Sequence, residues 1–335
     1  MAKQLQFELW QECNSKCKFC YLGHMNLCTS IEEKINNIEY VINKLSDMSI
    51  YPEYDTVAFI GGEFFQGQME TPLVKDKFFE LMRLVNDLKN KGYLKNVWIY
   101  ATMTIGDQKD LYDTIDIFDD KHNLWILTSY DTMGRFHTPK MEENWSYNMK
   151  HIHELYADIK FNTTIILSAD FIEKYLRNEF IIQDFMNEYN TTVYFKVPNR
   201  VKDKFTTNKD MNDMIGNFFP TRSLFLSFLK KVKTTESEDI WNRLFEMNLR
   251  ADTLICKHNG SLYESERDKE HFTELYDENL DYVMKCGHLS IYNPYVDKEG
   301  CAICDKKMIE EILWAESNYN LNYGKNVTLN VNSVI

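Results

Sequence analysis

Between residues 5 and 197 short apolar runs alternate with longer stretches of helical periodicity, and this alternation narrows the fold more than any other feature. Strands are expected at 5–10, 54–60, 94–101, 123–129, 158–166 and 191–197. Helices are expected near 74–90, 107–117, 143–156 and 172–188. One more helix opens at Ser30, where Ser30 and Glu33 form a capping-box pattern. Behind it Ile31, Ile35, Ile38, Ile42 and Leu45 recur at helical spacing. Six strands alternating with helices imply a parallel sheet. The expected fold is therefore α/β, an open (β/α)6 partial TIM barrel whose active site lies at the strand C-termini. Residues 1–205 would form the barrel and 206–250 a helical connection packed against it, since no Pro- or Gly-rich linker intervenes. Residues 251–335 would form a C-terminal cysteine-rich, metal-binding extension.

The cysteines decide what kind of chemistry to look for. Eight are present, at 13, 17, 20 and 28 and then at 256, 286, 301 and 304, with none between the two groups. In a reducing compartment clustered cysteines are metal ligands more often than disulfides, and the bipartite grouping suggests two metal sites. The rest of the composition excludes other classes. With 44% hydrophobic and 27% charged residues the chain reads as a folded soluble protein. No run approaches the roughly 18 to 20 apolar residues of a membrane span. MAKQLQFELW lacks the apolar core of a secretory signal, so a cytoplasmic location is expected. Thirty-eight Lys and Arg against 51 Asp and Glu give a net charge of −13 with no long basic run, which argues against non-specific nucleic-acid binding.

Cys13, Cys17 and Cys20 form a C-x3-C-x2-C run directly after the first strand. Three thiolates on one short loop can hold three irons of a cubane 4Fe–4S cluster and leave the fourth iron open to a small molecule. A structural zinc would want a fourth ligand, which His24 or Cys28 is placed to supply. The spacing, with the aromatic Phe19 before the last cysteine, resembles the signature of the radical S-adenosylmethionine (SAM) superfamily. In that family the open iron chelates the amino and carboxylate groups of SAM. Its reductive cleavage yields methionine and a 5′-deoxyadenosyl radical that abstracts a hydrogen atom from substrate. A second feature follows at the end of the second strand, Gly61-Gly62-Glu63 in FIGGEFFQG. Paired glycines let a backbone approach a ligand closely, and a carboxylate there can accept from an ammonium group. In the family a Gly-Gly-Glu at this place binds the amino group of SAM. A proline usually follows it, where this chain has Phe64.

The stretch TSYDTMGRFH, with Ser129, Asp131 and His137, resembles the Ser-x-Asp…His segment after strand four in the peptide-modifying branch with a SPASM or twitch extension. The resemblance implies that Ser129 contacts the ribose or methionine of SAM. Lys140 holds about the place of that branch's carboxylate-binding arginine, while Arg135 falls before the histidine. Thr102-Met103-Thr104 stands where Thr-Asn-Gly is usual. Asn162 and Thr164 on the fifth strand are candidates for ribose contacts. For each of these positions capping or solvent exposure is the competing reading.

Cys256, Cys286, Cys301 and Cys304 admit two readings. One is an auxiliary 4Fe–4S cluster, as in the SPASM/twitch branch. The other is a structural zinc held by four thiolates, with His258 or His288 as alternative ligands. The phrase Cys256-x3-Gly260-Ser-Leu-Tyr resembles that branch's hairpins, while Gly300 to Cys304 is one residue short of its spacing. A zinc ribbon would want a second pair beside Cys301-x2-Cys304. Cys28 is read as a small buried residue.

The resemblance implies a peptide or protein side chain as substrate, with oxidation, epimerisation or crosslinking as outcomes. A viperin-like or other enzyme acting on a nucleotide or small molecule is the alternative. A zinc-stapled binding protein without catalysis is the alternative of another class. Radical chemistry of this kind needs a low-potential electron donor, a flavodoxin or ferredoxin; Lys16 and Lys18 in the cysteine loop read either as a docking face for an acidic donor or as ordinary solvated loop lysines. No residue is assigned as catalytic acid, base or radical donor.

Overall fold

The computed structural model describes residues 3–13, 15–17, 28–46, 54–67, 69, 71–132, 134–196, 222–246, 253–256 and 262–264. The elements run β1 (Lys3–Glu8), α1 (Ile31–Leu45), β2 (Tyr54–Ile60), α2 (Pro72–Asn90), β3 (Asn96–Tyr100), α3 (Lys109–Asp116), β4 (Leu124–Tyr130) and α4 (Pro139–Leu155). They continue with β5 (Lys160–Ile166), α5 (Ala169–Leu176), α6 (Ile182–Tyr189), β6 (Thr191–Lys196), α7 (Arg222–Thr235), α8 (Glu238–Glu246), β7 (Thr253–Cys256) and β8 (Leu262–Glu264). The sheet order is β6-β5-β4-β3-β2-β1-β7-β8. Every neighbouring pair from β6 to β7 is parallel, and β8 closes an antiparallel hairpin on β7. The sheet does not close on itself, so the architecture is the expected open α/β barrel fragment. All six expected strands form. The sequence reading did not include β7 pairing in parallel with β1, which carries the sheet into the 251–335 region.

The two faces of this sheet differ in the way a barrel requires. Leu5, Phe7, Val57, Phe59, Val97, Ile99, Leu124, Ile126, Phe161, Ile165, Val193 and Phe195 are all buried, and they alternate along the strands onto the helix-covered face. The Trp145 indole N–H of α4 donates to Thr128 Oγ1 of β4 at 3.1 Å, which fixes the even-numbered β4 positions on that face. The opposite face carries Gln6, Ala58, Trp98, Trp125 and Lys160 in one register row. A row this mixed in polarity does not pack a helix layer; it lines the inside of the curve.

Helix α1 begins as expected, with Ser30 Oγ accepting from the Glu33 N–H and the Glu33 carboxylate accepting from the Ser30 N–H. The single helix expected over 172–188 is instead two, α5 and α6. Asn178 adopts a left-handed φ of 60°, and the Glu179 N–H reaches back to Lys174 O at 2.9 Å in a Schellman-type stop. Phe180 then inserts its ring between Phe171 (centroids 4.9 Å) and Phe185 (5.2 Å), a burial a continuous helix would forgo. Helix α7 lies on α5 through Phe228 against Tyr175 and through Lys231 Nζ donating to Tyr175 O at 2.7 Å. Within 222–246, the described part of the expected connection, α7 is thus packed on α5. No helix among the described residues is long and apolar enough to cross a membrane.

Candidate active site at the strand ends

The chain leaving β1 is laid directly over the end of β2. The Leu9 N–H donates to Ile60 O at 3.3 Å, the Gly62 N–H to Trp10 O at 3.0 Å and the Glu63 N–H to Glu12 O at 3.0 Å. The Trp10 indole N–H returns a bond to Glu63 O at 2.8 Å, and the Asn37 amide of α1 donates to Leu9 O at 2.8 Å. This crossing is what demands two glycines. A Cβ on Gly61 would sit 2.4 Å from Trp10 O, and one on Gly62 would sit 2.0 Å from Glu12 O and 2.6 Å from Gln11 O. Those are backbone atoms that no rotamer change can clear. The close approach allowed by the glycine pair is thus made first by the chain's own residues 10–12, which carry the polypeptide to Cys13.

The same segment is tied to α1 by an ion pair that sequence reading passed over. Lys34 Nζ lies 2.7 Å from Glu12 Oε2, with the lysine side chain 2% exposed and the glutamate 17%. Lys34 Nζ also stands 5.6 Å from the Trp10 ring centroid. The signal was present: Lys34 interrupts the apolar stripe of α1 between Ile31 and Ile38, where a cation needs a buried partner.

Glu63 has partners within the protein that its sequence did not show. Its carboxylate Oε1 accepts from the Phe64 and Phe65 N–H groups, both at 2.9 Å, and Oε2 accepts from the Thr102 N–H at 2.8 Å. Glu63 is 2% exposed, so the carboxylate works first as a clamp between the ends of β2 and β3. A carboxylate has about four lone-pair sites, so three amides leave room for about one further donor. Phe64, where the sequence resemblance led one to expect a proline, fits this arrangement, because proline has no N–H to give Oε1. Its ring is buried edge-on against Trp10, centroids 5.0 Å apart.

Of the triplet, Cys13 is half-buried with Sγ 3.7 Å from Ser15 O, and Cys17 is buried. Both follow the C-terminal end of β1, where a barrel of this kind places its chemistry. Cys20, Phe19, Lys18 and His24 lie outside the described residues, as do Cys286, Cys301, Cys304, His258 and His288. Among the described residues no three His, Cys, Asp or Glu side chains converge as a metal site. Cys28 is exposed rather than buried, because it ends just ahead of the solvent-facing cap of α1. Cys256 is the last residue of β7, with its Cα in register with Phe7 of β1. The first of the C-terminal cysteines therefore sits on the strand flanking the one that leads to the triplet.

Across the sheet, Ser129 is half-buried and in register with Thr164, and buried Asn162 is in register with Leu127. All four residues share the face opposite the helices. Lys140 is exposed on the first turn of α4, with Nζ 3.3 Å from Glu143 Oε2. His137 and Lys16 are exposed. Asp131 is fully buried and has a plainly structural job. Its Oδ1 accepts from Ser168 Oγ at 2.8 Å, and its Oδ2 accepts from the N–H groups of Gly134 and Arg135, the latter at 3.2 Å. Burial pushes the Asp131 carboxyl up to about 6, opposed by these hydrogen bonds and by the Arg135 charge. Ser168 in turn caps α5, accepting from the Phe171 N–H at 3.3 Å, so Asp131 pins the loop after β4 to the start of α5.

No protein-family model and no curated protein sequence matches the chain. Among solved structures it is similar to SuiB of Streptococcus suis, at 14% identity and a TM-score of 0.47, covering 90% of this chain and 73% of SuiB. It is also similar to HemN, the coproporphyrinogen III oxidase of Escherichia coli and a radical SAM enzyme, at 13% identity and a TM-score of 0.44. That likeness covers 69% of this chain and 52% of HemN, so the chain spans about half of HemN's length.

Proposed function

We propose that the chain is a radical SAM enzyme in which Cys13, Cys17 and Cys20 hold three irons of a 4Fe–4S cluster and SAM occupies the fourth. The observation that carries this reading is the joining of its two motifs. The segment leading to Cys13 is hydrogen-bonded onto Gly62 and Glu63 across glycines that admit no side chain. The donor set fits the group: thiolates on one loop, seated at the C-terminal edge of an open parallel sheet. With both bound, the cluster would supply an electron to the SAM sulfonium, giving methionine and a 5′-deoxyadenosyl radical that abstracts hydrogen from substrate.

The chain's own residues have distinct tasks in this reading. Gly61 and Gly62 seat the cysteine loop, and Glu63 locks the β2 and β3 ends that form its floor. Trp10, Phe64 and Phe65, all buried, keep water from beneath it. Ser129 and Asn162 face the inside of the curve, where a ribose or methionine contact would lie. Lys140 would have to leave Glu143 to reach a carboxylate.

The substrate class in this proposal is a peptide or protein side chain, and Cys256, Cys286, Cys301 and Cys304 hold a second 4Fe–4S cluster or zinc. A flavodoxin or ferredoxin delivers the electron at the face carrying Lys16. Iron, sulfide and zinc content after anaerobic reconstitution tests the metal assignment. Roughly eight irons per chain, falling to roughly four when Cys13, Cys17 and Cys20 are all changed to Ala, supports two clusters. Zinc with essentially no iron overturns the reading.

A further inference from the structure

The turn after β3 is held in a conformation its sequence does not favour. Met103, fully buried, adopts a φ of 56°, a left-handed backbone that non-glycine residues rarely take. Four hydrogen bonds hold the turn there. The Thr102 N–H donates to Glu63 Oε2 at 2.8 Å, and the Asn148 amide of α4 donates to Met103 O at 2.9 Å and to Ile105 O at 2.8 Å. The Asn144 amide donates to Thr104 O at 3.1 Å. Strain that the surroundings over-determine in this way points to a local task.

What the turn presents is a pair of hydroxyls, one on each side of the strained residue. Gln66 Nε2 donates to Thr102 Oγ1 and to Thr104 Oγ1, the latter at 2.6 Å. The other end of the same amide, Gln66 Oε1, accepts from Ser15 Oγ at 3.2 Å. Ser15 lies between Cys13 and Cys17, and its carbonyl is the atom 3.7 Å from Cys13 Sγ. All four polar residues are buried, so each bond is made away from competing water. An apolar side chain would fill the place of Gln66 beside Phe64 and Phe65 without needing partners. The amide instead spans from the cysteine loop to a turn more than thirty residues further along the chain than Gln66 itself.

We infer that Gln66 is a positioning residue: through Ser15 it fixes the segment bearing Cys13 and Cys17 against the strained β3 turn before any metal arrives. Its relevance to a cluster rests on the radical SAM reading, but the latch itself is a property of the folded chain. Hydrogen exchange on the metal-free protein tests it independently. Gln66→Ala and Ser15→Ala should each speed exchange of the amides in 12–17 by about tenfold or more, with the β1 and β2 amides unchanged. Ser15→Thr, which keeps the hydroxyl, should restore protection. In reconstituted protein the same two Ala variants should alter the electron paramagnetic resonance line shape of the reduced cluster, and Ser15→Thr should keep it. Unchanged exchange in 12–17 for both Ala variants, or an equal rise throughout the sheet, overturns the latch. If wild-type protein takes up no iron, the metal assignment fails, while the exchange result still decides the latch.

Discussion

Gly62→Ala puts the joining of the two motifs under direct strain. An added Cβ would lie 2.0 Å from Glu12 O, 2.4 Å from Glu12 C and 2.6 Å from Gln11 O, where ordinary contact begins at 3.4 Å. Relief requires residues 11–12 and the β2 end to part by more than about 1 Å, since every clashing atom is backbone. The bonds from the Gly62 N–H to Trp10 O and from the Glu63 N–H to Glu12 O are both 3.0 Å, so such a shift takes them past the distance at which a hydrogen bond survives. Two buried backbone bonds at about 1 kcal/mol each, plus the desolvation of groups left unpaired, amount to about 2–4 kcal/mol. The loss grows if Glu12 is also drawn off Lys34. Urea denaturation at neutral pH reads the stability change, and iron retained after reconstitution reads the seating of the cysteine loop. Gly106→Ala is the matched control, because its Cβ would meet only Asn144 Oδ1 at 3.7 Å. A Gly62→Ala protein within about 0.5 kcal/mol of wild type and with full iron content would refute the reasoning.

Three further outcomes are expected. Lys34→Met strands the Glu12 carboxylate in a mostly buried site and should cost about 3 kcal/mol in urea denaturation, with Lys34→Met/Glu12→Gln recovering most of it. Asp131 is raised in the fold above its unfolded value, so the stability it contributes is present at acid pH and is lost as pH rises through about 6. Relative to Asp131→Asn, wild type should therefore lose about 1–1.5 kcal/mol between pH 5 and pH 8, and parallel pH profiles would contradict this. Cys28→Ala, at an exposed position, should leave iron content unchanged, whereas Cys17→Ala should empty the N-terminal site; loss of iron in both would make Cys28 a ligand.

The strands were legible because the six are short runs separated by stretches of helical periodicity, and that pattern survives in any α/β packing. Strands β7 and β8 were signalled only by the hairpin resemblance of Cys256-x3-Gly260-Ser-Leu-Tyr, since segments of four and three residues carry too little periodicity to stand out, and nothing local pointed to the pairing of β7 with β1. The break between α5 and α6 had a local sign in Asn178, a residue that tolerates left-handed φ, but the burial of Phe180 that favours the break is tertiary. The cysteine triplet and Gly61-Gly62-Glu63 could be read directly, yet their physical use could not. Whether a glycine makes room for a ligand or for its own chain depends on residues 10–12 crossing overhead. Glu63 could be read as an acceptor, but not that three amides from two loops already use it. Lys34 showed as a charge within an apolar stripe, whereas Gln66 gave no sign at all, because its partners lie at separations of 51, 36 and 38 residues.

The central claim is that the loop seated on Gly62 and Glu63 carries a cluster that cleaves SAM. The most direct measurement is 5′-deoxyadenosine formed from SAM by the anaerobically reconstituted, chemically reduced protein, beside its Cys17→Ala variant. Wild type should form 5′-deoxyadenosine and methionine, and Cys17→Ala neither above background. Iron-loaded wild type that forms no 5′-deoxyadenosine, or a Cys17→Ala protein that forms it at the wild-type rate, would contradict the claim.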